Sequence, residues 1–77
     1  MKRSRYIKCT LSLLIEQQVY QLSSNSSYKY DLSLIEDKMY MICFNIFNGH
    51  NSMRQNYNMA WWASKIILEK LVSLGGQ

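Results

Sequence analysis

Apolar and polar residues alternate over residues 7–16, near the start of the chain. The odd-numbered positions are all apolar, and the even-numbered ones are polar apart from Leu14. Alternation with a period of two predicts a β-strand that buries one face and leaves the other in water. We expect residues 19–22 to continue this strand or to form a second one, although no turn signal follows Glu16.

The same segment also fits an α-helix, since six of its side chains share one helical face. Cys9, Leu13 and Val19 then fall outside that face, and for this reason we favour the strand. The helix remains the alternative. The six residues that would share a helical face are Ile7, Leu11, Leu14, Ile15, Gln18 and Leu22.

The middle of the chain predicts a β-hairpin. A loop of small polar residues comes first, at 23–27, because such side chains compete for backbone hydrogen bonds. Residues 28–34 then alternate, while residues 39–47 are apolar on both faces, as in a strand that is covered on both sides. The charged residues 36–38 between these two segments predict a tight turn.

The C-terminal third predicts one long helix. Ser52 and Gln55 have the spacing of a capping box, in which each side chain accepts a hydrogen bond from a free backbone amide at the helix start. Later polar side chains are rival caps, so the predicted start lies anywhere in residues 53–59. Gly75 and Gly76 predict the end of the helix, because glycine favours a C-terminal stop.

This helix carries two apolar stripes when its residues are placed at about 100° intervals. Trp61, Leu68 and Val72 lie opposite the wider stripe, where a helix packed against its own domain is normally polar. We therefore predict that something outside the chain covers these three residues. The wider stripe, which is the predicted core face, comprises Met59, Ala60, Trp62, Ala63, Ile66, Ile67, Leu71 and Leu74.

Together these patterns predict an α+β fold, with an antiparallel sheet of three or four strands and the C-terminal helix packed on one face. An αββα arrangement is the alternative. The 77 residues form one small domain, 1–77, with little stability to spare. We expect a second subunit to supply added burial, since the sequence contains no metal motif and no disulfide framework.

The net charge of +4 comes largely from the N-terminus. Lys2, Arg3, Arg5 and Lys8 stand together there, and we expect a solvated, frayed segment that also permits contact with nucleic acid. Asn, Lys, Ile and Tyr are frequent and proline is absent. Such a bias is expected of an AT-rich gene, and it favours a phage or mobile-element origin.

The two cysteines predict a protein of the reducing cytoplasm. Cys9 and Cys43 both sit in apolar runs, where a reduced thiol behaves as a small buried hydrophobe. No secretory signal precedes them, and no window approaches the roughly 18 to 20 apolar residues that span a bilayer. We expect a soluble, cytoplasmic protein without a membrane segment and without a cofactor or metal ion.

Catalytic side chains do not converge in this sequence. His50, the one histidine, has no carboxylate or cysteine near it in the chain, and a Cys–His dyad also needs an oxyanion site and a cleft. The carboxylates are scattered, and those at 36–37 fit the predicted turn better than acid–base chemistry. We therefore expect a protein that is not an enzyme.

The second stripe of the C-terminal helix points to a protein-binding module. Trp61 would be the anchor of a patch with Leu68 and Val72, while Arg54 and Lys65 form a charged rim. We expect a homodimer, formed through this patch or through the two-sided strand, that occupies a surface of a larger host complex. A phage inhibitor of host machinery, such as an anti-CRISPR, is one instance.

A small DNA- or RNA-binding regulator is the alternative from a different functional class. In that interpretation the cations contact phosphates and Trp61 stacks on a base. The second stripe then has no explanation, since aliphatic side chains do not bind phosphate. The basic residues that this alternative uses are Lys2, Arg3, Arg5, Arg54 and Lys65.

Overall fold

The computed structural model describes residues 2–24 and 31–75, with side chains from residue 5 onward. These residues form three helices: α1 (Lys2–Ser23), α2 (Leu32–Phe47) and α3 (Met53–Gly75). No strand occurs in the described ranges. The predicted α+β fold is therefore wrong, as is the αββα alternative, because every regular element of the described residues is a helix.

Helix α3 is the central element, because it packs against both α1 and α2 while those two helices scarcely meet. The short link between α2 and α3 makes them an antiparallel hairpin. Helix α1 runs parallel to α3. Near the start of α1 the Tyr6 ring lies beside His50, just before α3, and further along α1 Glu16 pairs with Lys70, near the end of α3. The domain measures 37 × 20 × 15 Å.

The core lies along the two seams that α3 makes with its neighbours. Each helix contributes apolar residues spaced three or four apart, so that they fall on one helical face. In α2 the spacing is four throughout. The buried apolar residues are Leu11, Ile15, Val19 and Leu22 of α1, Ile35, Met39, Cys43 and Phe47 of α2, and Ala60, Ala63, Ile67 and Leu71 of α3.

Small buried residues explain why α3 occupies the centre. Ala60, Ala63 and Ser64 are fully buried near the middle of this helix, and side chains of this size leave room for a neighbouring helix to lie close. The hydroxyl of Ser64 donates to the carbonyl of Ala60 at 2.6 Å, so its burial leaves no unpaired group.

Residues 7–16 are helical, so the strand predicted there is wrong and the helical alternative is confirmed. A strand needs a partner for its backbone groups, whereas a helix satisfies them within the segment. Helix α1 buries its helical face on α3 and leaves Cys9 and Leu13 exposed, with Leu13 at 71%. Residues 19–22 continue the same helix rather than a strand.

The predicted hairpin is also wrong, because residues 32–47 form α2. The charged residues 36–38 lie inside this helix and make no turn. The side chain of Asp31 starts the helix by accepting a hydrogen bond from the Ser33 amide at 3.0 Å. Positions 25–27 of the loop predicted at 23–27 lie outside the described residues. The same holds for positions 28–30 of the hairpin strand predicted at 28–34.

The predicted C-terminal helix is confirmed, together with its capping box. The Gln55 amide donates to the Ser52 hydroxyl at 3.2 Å, and the Ser52 amide donates to Gln55 Oε1 at 2.7 Å. Helix α3 starts at Met53 and ends at Gly75, while Gly76 lies outside the described residues. Two free amides at the helix start are thereby satisfied.

Candidate interaction surface

The predicted core face of α3 is confirmed in its centre and wrong at its margin. Ala60, Ala63, Ile67 and Leu71 are buried, and Met59 and Ile66 are partly buried against them. Trp62 and Leu74, however, are 51% and 68% exposed. Trp62 lies at the edge of the buried face, where neither neighbouring helix covers it, whereas Leu74 is in line with the buried residues but lies in the last turn of α3.

The predicted second stripe is exposed at two of its three residues. Trp61 is 49% exposed and Val72 is 43% exposed. Leu68 instead packs partly buried against the core, so placing it wholly on an outer surface is wrong. Leu68 lies on the side of α3 that faces α2, as the position of Tyr57 eleven residues earlier indicates.

A row of side chains at intervals of four runs along α3 next to α2. It consists of Met53, Tyr57, Trp61 and Lys65, and the Lys65 ammonium lies 4.6 Å from the centroid of the Trp61 ring. The Tyr57 ring stacks on that of Tyr40 in α2 with 4.3 Å between centroids. The stacking shows that Tyr57, and with it this row of α3, lies next to α2.

Helix α2 continues this apolar area. The ring of Phe44 lies 6.2 Å from that of Tyr40, and a groove of about 250 Å³ opens between α2 and the start of α3. Tyr40, Met41, Phe44, Asn45 and Met53 line the groove. We call the exposed apolar residues of this area the α2–α3 face, and they are Met41, Phe44, Met53, Tyr57 and Trp61.

Two cations border the α2–α3 face on its α3 side. Arg54 and Lys65 are exposed, and Trp61 lies between them on the same side of α3, seven residues after Arg54 and four before Lys65. Among the described side chains, neither forms an ion pair. The structure thus brings together Arg54, Trp61 and Lys65 of the predicted interface, with Val72 at the same angular position two turns beyond Lys65.

Trp62 belongs to the other flank of α3. It precedes Ile66 by four residues and Lys70 by eight, and Lys70 pairs with Glu16 of α1 at 3.6 Å. The two adjacent tryptophans are therefore almost equally exposed but lie on different sides of the helix. They form a natural matched pair for locating a binding surface.

Helix α1 carries an exposed apolar stripe of its own, separate from those of α3, which we call the α1 stripe. Tyr6, Leu13 and Tyr20 recur every seven residues and are exposed, as is Cys9. Tyr6 also contacts the edge of Phe47 and the ring of His50. The predicted burial of Cys9 is wrong, while the burial of Cys43 is confirmed and both thiols are free.

The basic residues predicted to contact nucleic acid are divided between two helices. Arg5 is exposed on α1, whereas Arg54 and Lys65 are exposed on α3. The side chains of Lys2 and Arg3 lie outside the described ones, although the backbone at both positions is helical. Of these described cations, the one that the structure places over an aromatic ring is Lys65, whose ammonium lies above Trp61.

Reactive groups are few in the part of the chain that the structure describes. Burial raises the pKa of the Cys43 thiol to about 11, so this group is protonated at neutral pH. The His50 ring packs beside Tyr6 with 5.6 Å between centroids. Residues 2–24 and 31–75 hold no group of three His, Cys, Asp or Glu side chains that could bind a metal ion.

The sequence interpretation missed Tyr40, Met41, Phe44, Met53 and Tyr57 as surface residues. The sequence pattern places the first three in a strand that is apolar on both faces, whereas they lie on helix α2. The signal for the last two was present, since Met53, Tyr57 and Trp61 are spaced by four. That spacing becomes informative once the capping box sets the helix start at residue 53.

Comparison with protein-family models, with curated proteins and with solved structures finds no match to this chain. None of the helices in the described ranges is both long enough and apolar enough to cross a membrane. The function must therefore be inferred from the surface itself.

Proposed function

We propose that this protein is a non-enzymatic protein-binding module and that the α2–α3 face is its binding surface. The observation that carries the proposal is the half-exposed Trp61 ring, which lies under the Lys65 ammonium and one turn after Tyr57, whose own ring stacks on that of Tyr40. A tryptophan side chain has only two rotatable angles, so it loses little conformational freedom when a partner covers it. Tryptophan and tyrosine are also enriched among the residues that dominate binding energy.

The composition of the face supports a protein partner. Aromatic residues, methionine and arginine are enriched in protein interfaces, and the α2–α3 face with Arg54 contains all three kinds. Methionines such as Met41 and Met53 adapt their shape to an opposing surface. Exposed apolar patches that are bordered by polar residues are a feature of interaction sites.

The proposal includes an inhibitory role in which the small domain occupies a surface of a larger host complex, as a phage or mobile-element protein would. A cytoplasmic location is part of the same proposal, and it is supported by two free cysteines. Anti-CRISPR activity is one instance, supported only by the size and composition of the chain.

The matched tryptophans provide the test. Immobilised wild-type protein, W61S and W62S are exposed to the same host extract, and captured proteins are quantified and then re-tested as purified components. We expect a partner whose direct binding is lost with W61S and kept with W62S. A purified partner that W62S weakens and W61S does not would place the binding surface on the α1 side of α3 and contradict the proposal.

A homodimer through Trp61 and Val72 stays a proposal as well. It is supported by the small core of the chain and the apolar face that the fold leaves uncovered. Sedimentation of wild type and W61S at micromolar concentration tests it. A wild-type species of 9.1 kDa would eliminate self-association, whereas a dimer that W61S dissociates would support it.

A further inference from the structure

We propose that the partner segment bound by the α2–α3 face is an amphipathic helix with an acidic edge. This inference rests on the proposed function and specifies the chemistry of its partner. The apolar side of the partner helix lies over Phe44, Tyr57 and Trp61, and carboxylates on one edge meet Arg54 and Lys65. In helix-in-groove binding of this kind, the bound helix inserts apolar side chains that are spaced by three, four and seven residues.

The dimensions of the groove favour protein side chains over a small ligand. Its volume of about 250 Å³ lies below the roughly 300–1,000 Å³ of drug-sized ligand sites. The groove is bounded by two antiparallel helices, and Tyr57 and Trp61 follow its lining residue Met53 along α3 at intervals of four. A helix laid along this row places successive apolar side chains into the groove and over the two aromatic rings.

The distribution of charge specifies an acidic edge. Arg54 and Lys65 are eleven residues apart on the same side of α3, which corresponds to about 16 Å or three helical turns. Neither is neutralised by a described carboxylate, whereas Glu16, on the far side of α3, is paired with Lys70.

The acidic residues on this side of the molecule indicate which edge of the partner carries the carboxylates. Glu36 precedes Tyr40 by one turn and Asp37 precedes Met41 by one turn, so the α2 edge of the face is acidic near the start of α2. Glu69 follows Lys65 by one turn. Carboxylates of a partner are therefore favoured along α3 between Arg54 and Lys65 and disfavoured along α2.

A single-stranded nucleic acid is the competing occupant, because Lys65 and Trp61 together resemble a cation beside a stacking platform. Phosphate binding gives no role to Met41, Phe44 and Met53, which form most of the groove. An acidic amphipathic helix uses both the cations and the apolar groove, and for this reason we favour it.

The test uses a displayed library of amphipathic helical peptides of about 18 residues, or five turns. Apolar anchors are fixed, and the remaining positions are random acidic, basic or neutral residues. Selections run in parallel on wild type, on W61S and on the double variant R54E/K65E. We expect peptides selected on wild type to carry acidic residues about three turns apart on one edge, and those selected on R54E/K65E to lose this bias.

Affinities then measure the charge pairs individually. Replacing one selected peptide glutamate by glutamine should weaken the Kd by about 1.5- to 5-fold, the range expected for an exposed ion pair. With R54Q or K65Q the corresponding peptide change should have no further effect. Circular dichroism of each variant checks that its helical content matches that of wild type.

The outcomes separate this inference from the proposed function. Peptides that need Trp61 but show no acidic bias, and that bind R54E/K65E equally well, would overturn the acidic edge and leave the binding surface standing. A library that yields no Trp61-dependent peptide would contradict both. Binding of a labelled oligothymidylate that is lost in R54E/K65E, with no acidic peptide selected, would assign the face to nucleic acid and overturn the inference.

Discussion

Replacing Ile67 by alanine tests the packing of α1 and α2 against the middle of α3. Its side chain is 0% exposed and lies on the face of α3 that α1 and α2 share. Removing such a side chain costs about 2 to 5 kcal/mol, through lost burial and the cavity left behind. At about 0.05–0.15 kcal/mol per residue, a domain of this length has only about 4 to 12 kcal/mol to lose. Ile67→Ala should therefore leave the fold marginal or unfold it.

Leu74→Ala is the matched control, because Leu74 is an aliphatic residue of the same helix but is 68% exposed. Its truncation should change the free energy of unfolding by no more than about 0.5 kcal/mol. Urea titrations followed by far-ultraviolet circular dichroism give both values, with an unchanged urea dependence as the check on two-state behaviour. Equal losses from the two variants would refute this packing, as would a larger loss from Leu74→Ala.

Three further predictions concern the thiols, the capping box and nucleic acid. Native protein should react with a thiol reagent at Cys9 alone, and Cys43 should react only after unfolding. Burial raises the pKa of the Cys43 thiol from 9.0 to about 11 in the folded protein, so the folded state binds this proton more tightly than the unfolded chain does. The resulting contribution to the free energy of unfolding is complete below pH 9 and is lost as the pH rises towards 11. This loss amounts to about 3 kcal/mol, and it should be absent from unfolding titrations of Cys43→Ala. Ser52→Ala should cost about 1 kcal/mol in a urea titration by removing the α3 cap, whereas Ser33→Ala, on the surface of α2, should stay within about 0.5 kcal/mol. Labelled single- and double-stranded nucleic acids should show no salt-dependent binding between about 50 and 200 mM salt, and sub-micromolar binding that needs Arg54 and Lys65 would make the protein-binding proposal wrong.

The parts of the fold that the sequence could predict are those with a local physical signal. The capping box at Ser52 and Gln55 and the long helical periodicity after it specify α3 without reference to the rest of the chain. In residues 7–16 the apolar positions satisfy both a period of two and most of a helical face. Burial on α3 favours the helix, and a single segment contains no information about that contact.

The surface was only partly predictable for a related reason. The exposure of Trp61 follows from its position on α3, but the exposure of Trp62 depends on how much of α3 its neighbours cover. That cover comes from α1 and α2, which pack along two seams of α3, and the sequence of α3 alone does not specify it. The groove lined by Tyr40 and Met53 joins two helices, so it exists only in the assembled hairpin.

The central claim is that partners bind the α2–α3 face, and backbone amide NMR of labelled protein tests it most directly. A Trp61-dependent helical peptide from the library is titrated into the protein, and the chemical-shift changes are mapped. The account predicts changes clustered around Tyr40, Phe44, Tyr57 and Trp61, with little change along the α1 stripe. Changes centred on Leu13 and Tyr20, with the α2–α3 face unaffected, would contradict it.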